Sequence, residues 1–242
     1  MNKPDHLIII GAQRSGTTFL YGILDAHPHI HMAQPVFPEP KFFLSKEGLS
    51  YEDYIDRYFH TAKSDVRYLG EKSASYYERQ DIIPRIKEVL GNPKIIIQLR
   101  NPVERALSNY HFSVKNGLET RSLHEVFIQQ VAAPELRSKI SVDPFDYLGR
   151  GQYLKFVKAY KQAFKDDLLV LKFEDTVSGQ TGRLWDWLGL DSTALDADRE
   201  VNKNGLIRKN ENREVAEWLQ EYYKRHNEEL ETFLGEDFGI WK

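Results

Sequence analysis

The chain lacks cysteine altogether among its 242 residues. A disulfide framework, a cysteine-ligated zinc site and a cysteine nucleophile are therefore excluded. The absence of cysteine also fits a reducing compartment. Because the first strand-like run begins a few residues after Met1, we expect neither a signal peptide nor a membrane span, and we predict a cytoplasmic protein.

A surplus of charge of one sign is also missing. The 33 Lys and Arg residues nearly balance the 36 Asp and Glu residues, which gives a formal net charge of −3. This balance argues against a nucleic-acid partner, so any basic site must be local. Internal repeats and low-complexity linkers are absent too. The length suits one α/β domain, predicted to cover residues 1–242.

What the sequence does contain is a strand, a glycine-bounded loop and a helix in its first residues. Residues 7–10 are an uninterrupted apolar run ending at Gly11, and residues 17–26 carry apolar side chains at helical spacing. Gly11 and Gly16 let backbone N–H groups approach an anion, and the first N–H groups of the helix point into the same space. Residues 11–16, the glycine loop, therefore predict a phosphate or sulfate site.

The glycine loop keeps the spacing of a Walker A motif but not its lysine. Thr17 stands where the lysine belongs, and the cation is Arg14 inside the loop. A glycine-bounded turn after a buried strand can also bind nothing. Four anion-binding side chains in one turn favour the binding interpretation, namely Arg14, Ser15, Thr17 and Thr18.

Further apolar runs predict strands at residues 68–73, 94–99 and 168–173. Helices are predicted at residues 50–60, 82–90, 102–110, 122–131, 151–164, 182–188 and 214–234. Strands separated by helices predict a three-layer α/β/α fold with a central, mostly parallel sheet, in which ligands bind at the carboxyl ends of the strands. We interpret His27, His29 and His31 as solvated turn residues rather than metal ligands.

Two motifs at predicted strand ends resemble the PAPS-dependent sulfotransferases, where PAPS is 3′-phosphoadenosine 5′-phosphosulfate. Residues 11–18 (GAQRSGTT) are similar to that family's 5′-phosphosulfate loop, and residues 100–108 (RNPVERALS) to its 3′-phosphate motif. Further matches are residues 39–43 (EPKFF), 70–73 (GEKS), 151–153 (GQY), 172–175 (KFED) and 234–241 (LGEDFGIW). The chain resembles most the heparan-type and bacterial branch, in which glutamate is the usual base.

The resemblance implies in-line transfer of a sulfuryl group from PAPS, without a metal, to a hydroxyl or amine of a carbohydrate, lipid or small-molecule acceptor. It implies donor contacts from Gln13, Arg14, Ser15, Gly16, Thr17, Thr18, Arg100, Ser108, Tyr153 and one or more of Lys203, Arg208 and Lys209. Residues 35–43, a proline-rich stretch with three aromatic side chains and a charged pair, are a candidate cleft wall, in which Glu39, Lys41 and Phe42 are predicted to contact the acceptor. A plain hydrophobic anchor for a loop is the equal alternative.

The predicted catalytic residues are Glu71 as general base, Lys72 beside it, and Arg14 at the leaving group, with His111 as the competing base. Lys72 is expected to orient Glu71 or to contact the sulfate. The family more often has lysine in the place of Arg14. Because arginine stays protonated, Arg14 can stabilise the leaving phosphate but cannot readily donate a proton to it.

Two other classes share some of these features. A P-loop kinase or nucleotide hydrolase has the same kind of sheet and loop, but it expects lysine at Thr17 and an acidic residue that holds Mg²⁺ at a strand end. The strand at residues 94–99 instead ends at Arg100. A non-catalytic nucleotide-binding module would tolerate the loss of Glu71.

Overall fold

The structure is a computed structural model that describes residues 4–45, 47, 50–135, 142–192 and 213–241, apart from the side chain of Ile240. The basic stretch with Lys203, Arg208 and Lys209 lies outside the described residues. The donor contacts predicted for these three residues therefore stay predictions.

Strands and helices alternate along the described chain. The strands are β1 (Asp5–Gly11), β2 (Ile30–Met32), β3 (Tyr68–Lys72), β4 (Lys94–Leu99) and β5 (Leu168–Lys172). The helices are α1 (Thr17–Asp25), α2 (Tyr51–Tyr58), α3 (Ile83–Leu90), α4 (Pro102–Lys115), α5 (Leu123–Phe127), α6 (Leu154–Phe164), α7 (Phe173–Val177), α8 (Gly182–Leu188) and α9 (Arg213–Leu234).

The described strands form one parallel sheet in the order β2-β3-β1-β4-β5. Successive side chains of a strand point to opposite faces, and Leu7, Ile8, Ile9 and Ile10 of β1 are all 0% exposed. Both faces of the sheet are therefore covered, as the uninterrupted apolar run predicts. The predicted three-layer α/β fold with a mostly parallel sheet is confirmed.

The chain divides into two compact units, residues 1–99 with 157–201 and residues 100–156 with 202–242. The first unit holds the sheet, with a core cluster that joins it to α1 and α8 and includes Leu20, Leu24, Ile96, Leu169 and Trp185. The second unit has its own cluster between α4, α5 and α9, which includes Leu107, Tyr110, Phe127, Leu219 and Tyr223. The single domain over residues 1–242 stays a prediction.

Three local predictions need correction. The helix predicted at residues 122–131 ends at Phe127, and Gln130 has a left-handed φ of 50°. A three-residue strand, β2, follows the first helix where only a turn was predicted, because it pairs with β3. His27 is not a solvated turn residue, since it is 6% exposed and its ring stacks on Trp185 at 5.1 Å.

Candidate active site

The glycine loop joins β1 to α1 and depends on a glycine at position 16. Gly16 caps α1 with φ 74° and ψ 23°, a left-handed conformation. A Cβ atom on Gly16 would lie 2.3 Å from the ring of Phe173. Only glycine fits both the conformation and the space. The chain can therefore turn tightly at the start of α1, where the first N–H groups have no partner within the helix.

Gln98 ties the glycine loop to β4. Its carbonyl accepts the Ala12 N–H at 2.8 Å, and its side-chain Nε2 donates to the Ser15 carbonyl at 2.6 Å. Gln98 is 0% exposed. The loop is thus held on both sides by one strand residue that the sequence analysis missed. The available signal was a polar residue that interrupts the apolar run Ile95–Leu99.

The residues of the glycine loop and of the first turn of α1 differ in exposure. Arg14 and Thr18 are exposed, whereas Ser15 is 0% and Thr17 is 6% exposed. The guanidinium of Arg14 and the hydroxyl of Thr18 are therefore the side-chain groups that an anion can meet. Buried Thr17 can contact the anion through its backbone N–H group. The Ser15 N–H donates to the Ala12 carbonyl at 3.3 Å, so the donor contact of Ser15 stays a prediction. Gln13, also predicted to bind the donor, is half-buried.

Glu71 and Lys72 are neighbours in β3, have opposite charges and point to opposite faces of the sheet. Glu71 pairs with Ile8 and Lys72 with Ile9 of β1. The Nζ of Lys72 lies 3.4 Å from the Thr18 hydroxyl of α1. It also lies 2.9 Å from Glu39 Oε1, and its side chain is 2% exposed. Lys72 therefore connects the start of α1 to the carboxylate of Glu39.

Glu39 is held in place through both of its carboxylate oxygens. Oε1 meets Lys72, and Oε2 accepts the N–H of Ala74 at 3.1 Å. The side chain keeps 14% of its exposure. This partly exposed carboxylate thus shares Lys72 with the start of α1. Glu39 was predicted as an acceptor contact, and its pairing with Lys72 becomes visible only in the tertiary structure.

Glu71 is enclosed by hydroxyl groups. Oε1 accepts hydrogen bonds from Ser73 Oγ and from the Tyr76 hydroxyl, both at 2.7 Å, and Oε2 accepts one from the Tyr54 hydroxyl at 2.8 Å. The side chain is 0% exposed. Burial raises the pKa of Glu71, although the three hydroxyl donors act in the opposite direction. The burial of Tyr54 and Tyr76 themselves, followed by the charge of Glu71, raises the pKa values of these two tyrosines.

The residues predicted to contact the acceptor also differ in accessibility. Phe42 is 2% exposed, and its ring packs 4.9 Å from that of Tyr54, so Phe42 is a packing residue here. Lys41 is half-buried with φ 50°. The exposed aromatic ring of this segment is Phe37, which is 65% exposed and lies 4.4 Å from Lys72 Nζ. The sequence analysis did not single out Phe37.

The second unit carries the other predicted phosphate motif at the start of α4. Asn101 caps the helix by accepting N–H groups of its first turn. Arg100, half-buried, pairs with Glu104 at 3.0 Å, and Ser108 is half-buried about two turns further on. Tyr153 is 1% exposed and donates to the Arg100 carbonyl at 2.6 Å. Its hydroxyl therefore supports the Arg100 backbone.

His111, the competing base, is exposed on α4, with its ring 5.4 Å from that of Tyr110. Its role stays a prediction. Within the described ranges, no group of three or more His, Asp and Glu side chains is arranged to hold a metal ion. In the same part of the chain, no helix is long and apolar enough to cross a membrane.

A glycine-bounded loop between a buried parallel strand and a helix, with a cation in the loop, is an arrangement in which α/β proteins commonly bind phosphate groups. Residues 4–212 match the family model described as the sulfotransferase domain. The chain belongs to this family. The resemblance that residues 11–18 and 100–108 indicate is therefore confirmed.

Known sulfotransferases align with this chain over all or part of its length. Human heparan sulfate glucosamine 3-O-sulfotransferase 3B1 is 26% identical over 96% of this chain and 64% of its own length. Mouse bifunctional heparan sulfate N-deacetylase/N-sulfotransferase 1 is 26% identical over 97% of this chain and 30% of its own length. Membrane-associated sulfotransferase kil1 of Dictyostelium discoideum is 34% identical over 46% of this chain and 23% of its own length. The chain thus spans less than two thirds of each of these relatives.

A crystal structure of a sulfotransferase from Alicyclobacillus acidocaldarius superposes with a TM-score of 0.73 at 23% identity, covering 100% of this chain and 99% of that one. A sulfotransferase domain from the curacin biosynthetic pathway superposes with a TM-score of 0.50 at 15% identity, over 79% of this chain and 76% of that one. These likenesses show the fold.

Proposed function

We propose that the protein is a sulfotransferase that moves a sulfuryl group from PAPS to a hydroxyl or amine. The observation that carries this proposal is the Glu39–Lys72 ion pair beside the start of α1. In-line sulfuryl transfer needs cations where the leaving phosphate develops charge and a base where the acceptor loses its proton. Glu39, Lys72 and Arg14 supply this combination, and family membership supports it.

The glycine loop fits the phosphosulfate of the donor. Left-handed Gly16 starts α1, and the first N–H groups of this helix would face the anion. We assign the 5′-phosphate to the backbone N–H groups of residues 16–18 and to the hydroxyl of Thr18. Arg14 and Lys72 would stabilise the charge on the leaving phosphate. Gln13 stays a predicted donor contact.

Glu39 is our proposed general base, in place of Glu71. A base must touch the acceptor's proton. Glu71 is 0% exposed and both its oxygens are occupied, whereas Glu39 is partly exposed and lies beside Lys72. As the acceptor oxygen bonds to sulfur, the S–O bond to the phosphate breaks and Glu39 takes the acceptor's proton. The products are adenosine 3′,5′-bisphosphate (PAP) and the sulfated acceptor.

The second phosphate motif is a separate part of the proposal. Arg100 and Ser108 would bind the 3′-phosphate. The guanidinium precedes α4, the hydroxyl lies about two turns further on, and both residues are half-buried. Tyr153 would act by holding the Arg100 carbonyl. The basic residues Lys203, Arg208 and Lys209 stay predicted donor contacts.

The acceptor class proposed is a glycan, a lipid headgroup or a small molecule. Phe37 replaces Phe42 as the proposed aromatic contact, since only Phe37 offers an exposed ring next to Lys72. The heparan sulfate relatives make a sugar the first acceptor to test. A cytoplasmic location and a metal-free reaction are also part of the proposal.

The test is transfer of radiolabelled sulfate from PAPS to a panel of sugars, phenols and lipid headgroups. Glu39→Gln keeps the size of the side chain but cannot take a proton. We expect it to lower kcat by about 10²- to 10⁴-fold while PAP affinity is retained. Full turnover by Glu39→Gln would refute the base assignment. Stabilisation of the protein against heat by ATP with Mg²⁺, but not by PAP, would favour the kinase class instead.

A further inference from the structure

Glu71 is a buried carboxylate that the proposed reaction does not use. It lies at the end of β3 and is 0% exposed. Burying a carboxylate is unfavourable unless it is well hydrogen-bonded. The hydroxyl groups around Glu71 meet that need, and two of them have a second partner that connects Glu71 to the segment carrying Glu39.

Each of these two hydroxyls bridges Glu71 to the backbone of residues 41–43. Ser73 Oγ donates to Glu71 Oε1 at 2.7 Å and accepts the Lys41 N–H at 2.8 Å. The Tyr76 hydroxyl donates to the same oxygen at 2.7 Å and accepts the Phe43 N–H at 3.0 Å. The bridged N–H groups belong to residues two and four positions after Glu39.

The direction of these hydrogen bonds depends on Glu71. The hydroxyl groups of Ser73 and Tyr76 each have a single proton. When that proton is donated to another acceptor, the lone pairs of the hydroxyl oxygen can accept a backbone N–H. Glu71 Oε1 accepts the hydrogen bonds that both hydroxyl groups donate. The bridged segment also includes Lys41 at φ 50°, a conformation that residues other than glycine seldom adopt. The segment therefore needs external contacts to hold its shape.

We propose that Glu71 is a positioning residue, which fixes the backbone after Glu39 through the hydroxyls of Ser73 and Tyr76 and thereby places the Glu39 carboxylate against Lys72. The inference rests on the proposed function of Glu39. A second contact acts in the same sense, because Ala74, next to Ser73, donates its N–H to Glu39 Oε2 at 3.1 Å. The end of β3 thus holds both the carboxylate of Glu39 and the backbone that follows it.

The two oxygens of Glu71 make different contacts, which separates positioning from proton transfer. Oε1 accepts hydrogen bonds from both bridging hydroxyls, and Oε2 accepts one from the Tyr54 hydroxyl. In Glu71→Gln, the amide oxygen can take the Oε1 place and the NH₂ group can donate to Tyr54, whose hydroxyl then accepts. Both bridges survive in this variant, although it cannot act as a base.

The experiment compares five variants in sulfate transfer, PAP calorimetry and thermal unfolding, with kcat measured well below each melting temperature. The variants are Ser73→Ala, Tyr76→Phe, Glu71→Gln, Glu39→Gln and, as the matched control, Tyr54→Phe. We expect Ser73→Ala and Tyr76→Phe to lower kcat by about 10- to 100-fold, because a small misplacement of a catalytic group has effects of this size. Their PAP affinity should stay within about twofold, since a lost neutral hydrogen bond away from the ligand has little effect on it.

The readout that a merely structural role would not give is a loss of kcat in Ser73→Ala and Tyr76→Phe that Tyr54→Phe does not share. Glu71→Gln should keep kcat within about threefold, because it alters only the hydrogen bond to Tyr54 and one such bond contributes little free energy. Tyr54→Phe removes a buried hydroxyl but neither bridge, so it should lower the melting temperature and leave kcat unchanged.

Two results would overturn the inference alone. The first is an unchanged kcat in folded Ser73→Ala and Tyr76→Phe while Glu39→Gln is inactive. The second is a Glu71→Gln variant as inactive as Glu39→Gln, which would return the base to Glu71. A fully active Glu39→Gln would instead refute the proposed base and, with it, this inference.

Discussion

Replacing Gly16 by alanine tests the geometry of the glycine loop with two separable effects. Gly16 has φ 74°, and alanine in the left-handed region costs roughly 1–2 kcal/mol. The new Cβ would also lie 2.3 Å from the Phe173 ring, and overpacking of this kind costs roughly 1–3 kcal/mol. Together these effects predict a destabilisation of about 2–5 kcal/mol, which lowers the melting temperature by on the order of 10 °C in a chain of this size.

Gly179→Ala is the matched control for the backbone effect. Gly179 also has a left-handed φ, 82°, but a Cβ there would meet nothing within 4 Å. Its destabilisation should therefore be only about 1–2 kcal/mol. Adding Phe173→Leu to Gly16→Ala should restore part of the stability by making room for the new Cβ.

The assays are thermal unfolding and calorimetry with PAP. Gly16→Ala should weaken PAP binding because the start of α1 must shift, whereas Gly179→Ala should not. Equal melting temperatures of the two alanine variants would refute the steric argument. Unchanged PAP affinity in a folded Gly16→Ala would refute the assignment of the glycine loop to the donor.

Other perturbations test the remaining assignments. Arg14→Ala should weaken PAP binding and lower kcat, whereas Arg14→Lys should retain part of the affinity and of the rate because the charge remains. Wild-type PAP affinity by calorimetry and a wild-type kcat in Arg14→Ala would contradict this. EDTA should leave sulfate transfer unchanged, and a strict Mg²⁺ requirement would favour the kinase class. Replacing Arg208 and Lys209 together by alanine should lower PAP affinity, and an unchanged Kd would contradict this prediction. Phe37→Ala should raise the acceptor KM more than it lowers kcat, and equal KM values would remove Phe37 from the acceptor site. Burial raises the pKa of Glu71 in the folded protein, so its contribution to stability is largest below the unfolded pKa of about 4.3 and falls as the pH rises towards the folded pKa. Glu71→Gln, which does not ionise, should therefore gain stability relative to the wild type as the pH rises above about 4 in chemical denaturation, and a pH-independent difference would contradict the raised pKa.

The strand, glycine loop and helix at residues 5–25 could be predicted from the sequence, because their determinants are local. An apolar run long enough for a buried strand, a glycine at each end of a polar loop and apolar residues at helical spacing all lie within about twenty positions. The same holds for β4 and for α4, whose start at Pro102 was predicted. The three-residue β2 could not be predicted in this way, because so short a strand has no pattern of its own and exists by pairing with β3.

The roles of the two glutamates, by contrast, depended on tertiary structure. In the sequence, Glu71 and Lys72 are an adjacent charged pair after an apolar stretch, and Glu39 is one charge in a proline-rich segment. Alternation along β3 sends Glu71 and Lys72 to opposite faces, but it does not say which face is closed. Tyr54, 17 positions away in the chain, closes the face of Glu71, while Lys72 turns to Glu39, 33 positions away. Contacts over such separations are set by how helices and loops pack on the sheet, and that packing decided which carboxylate stays within reach of solvent.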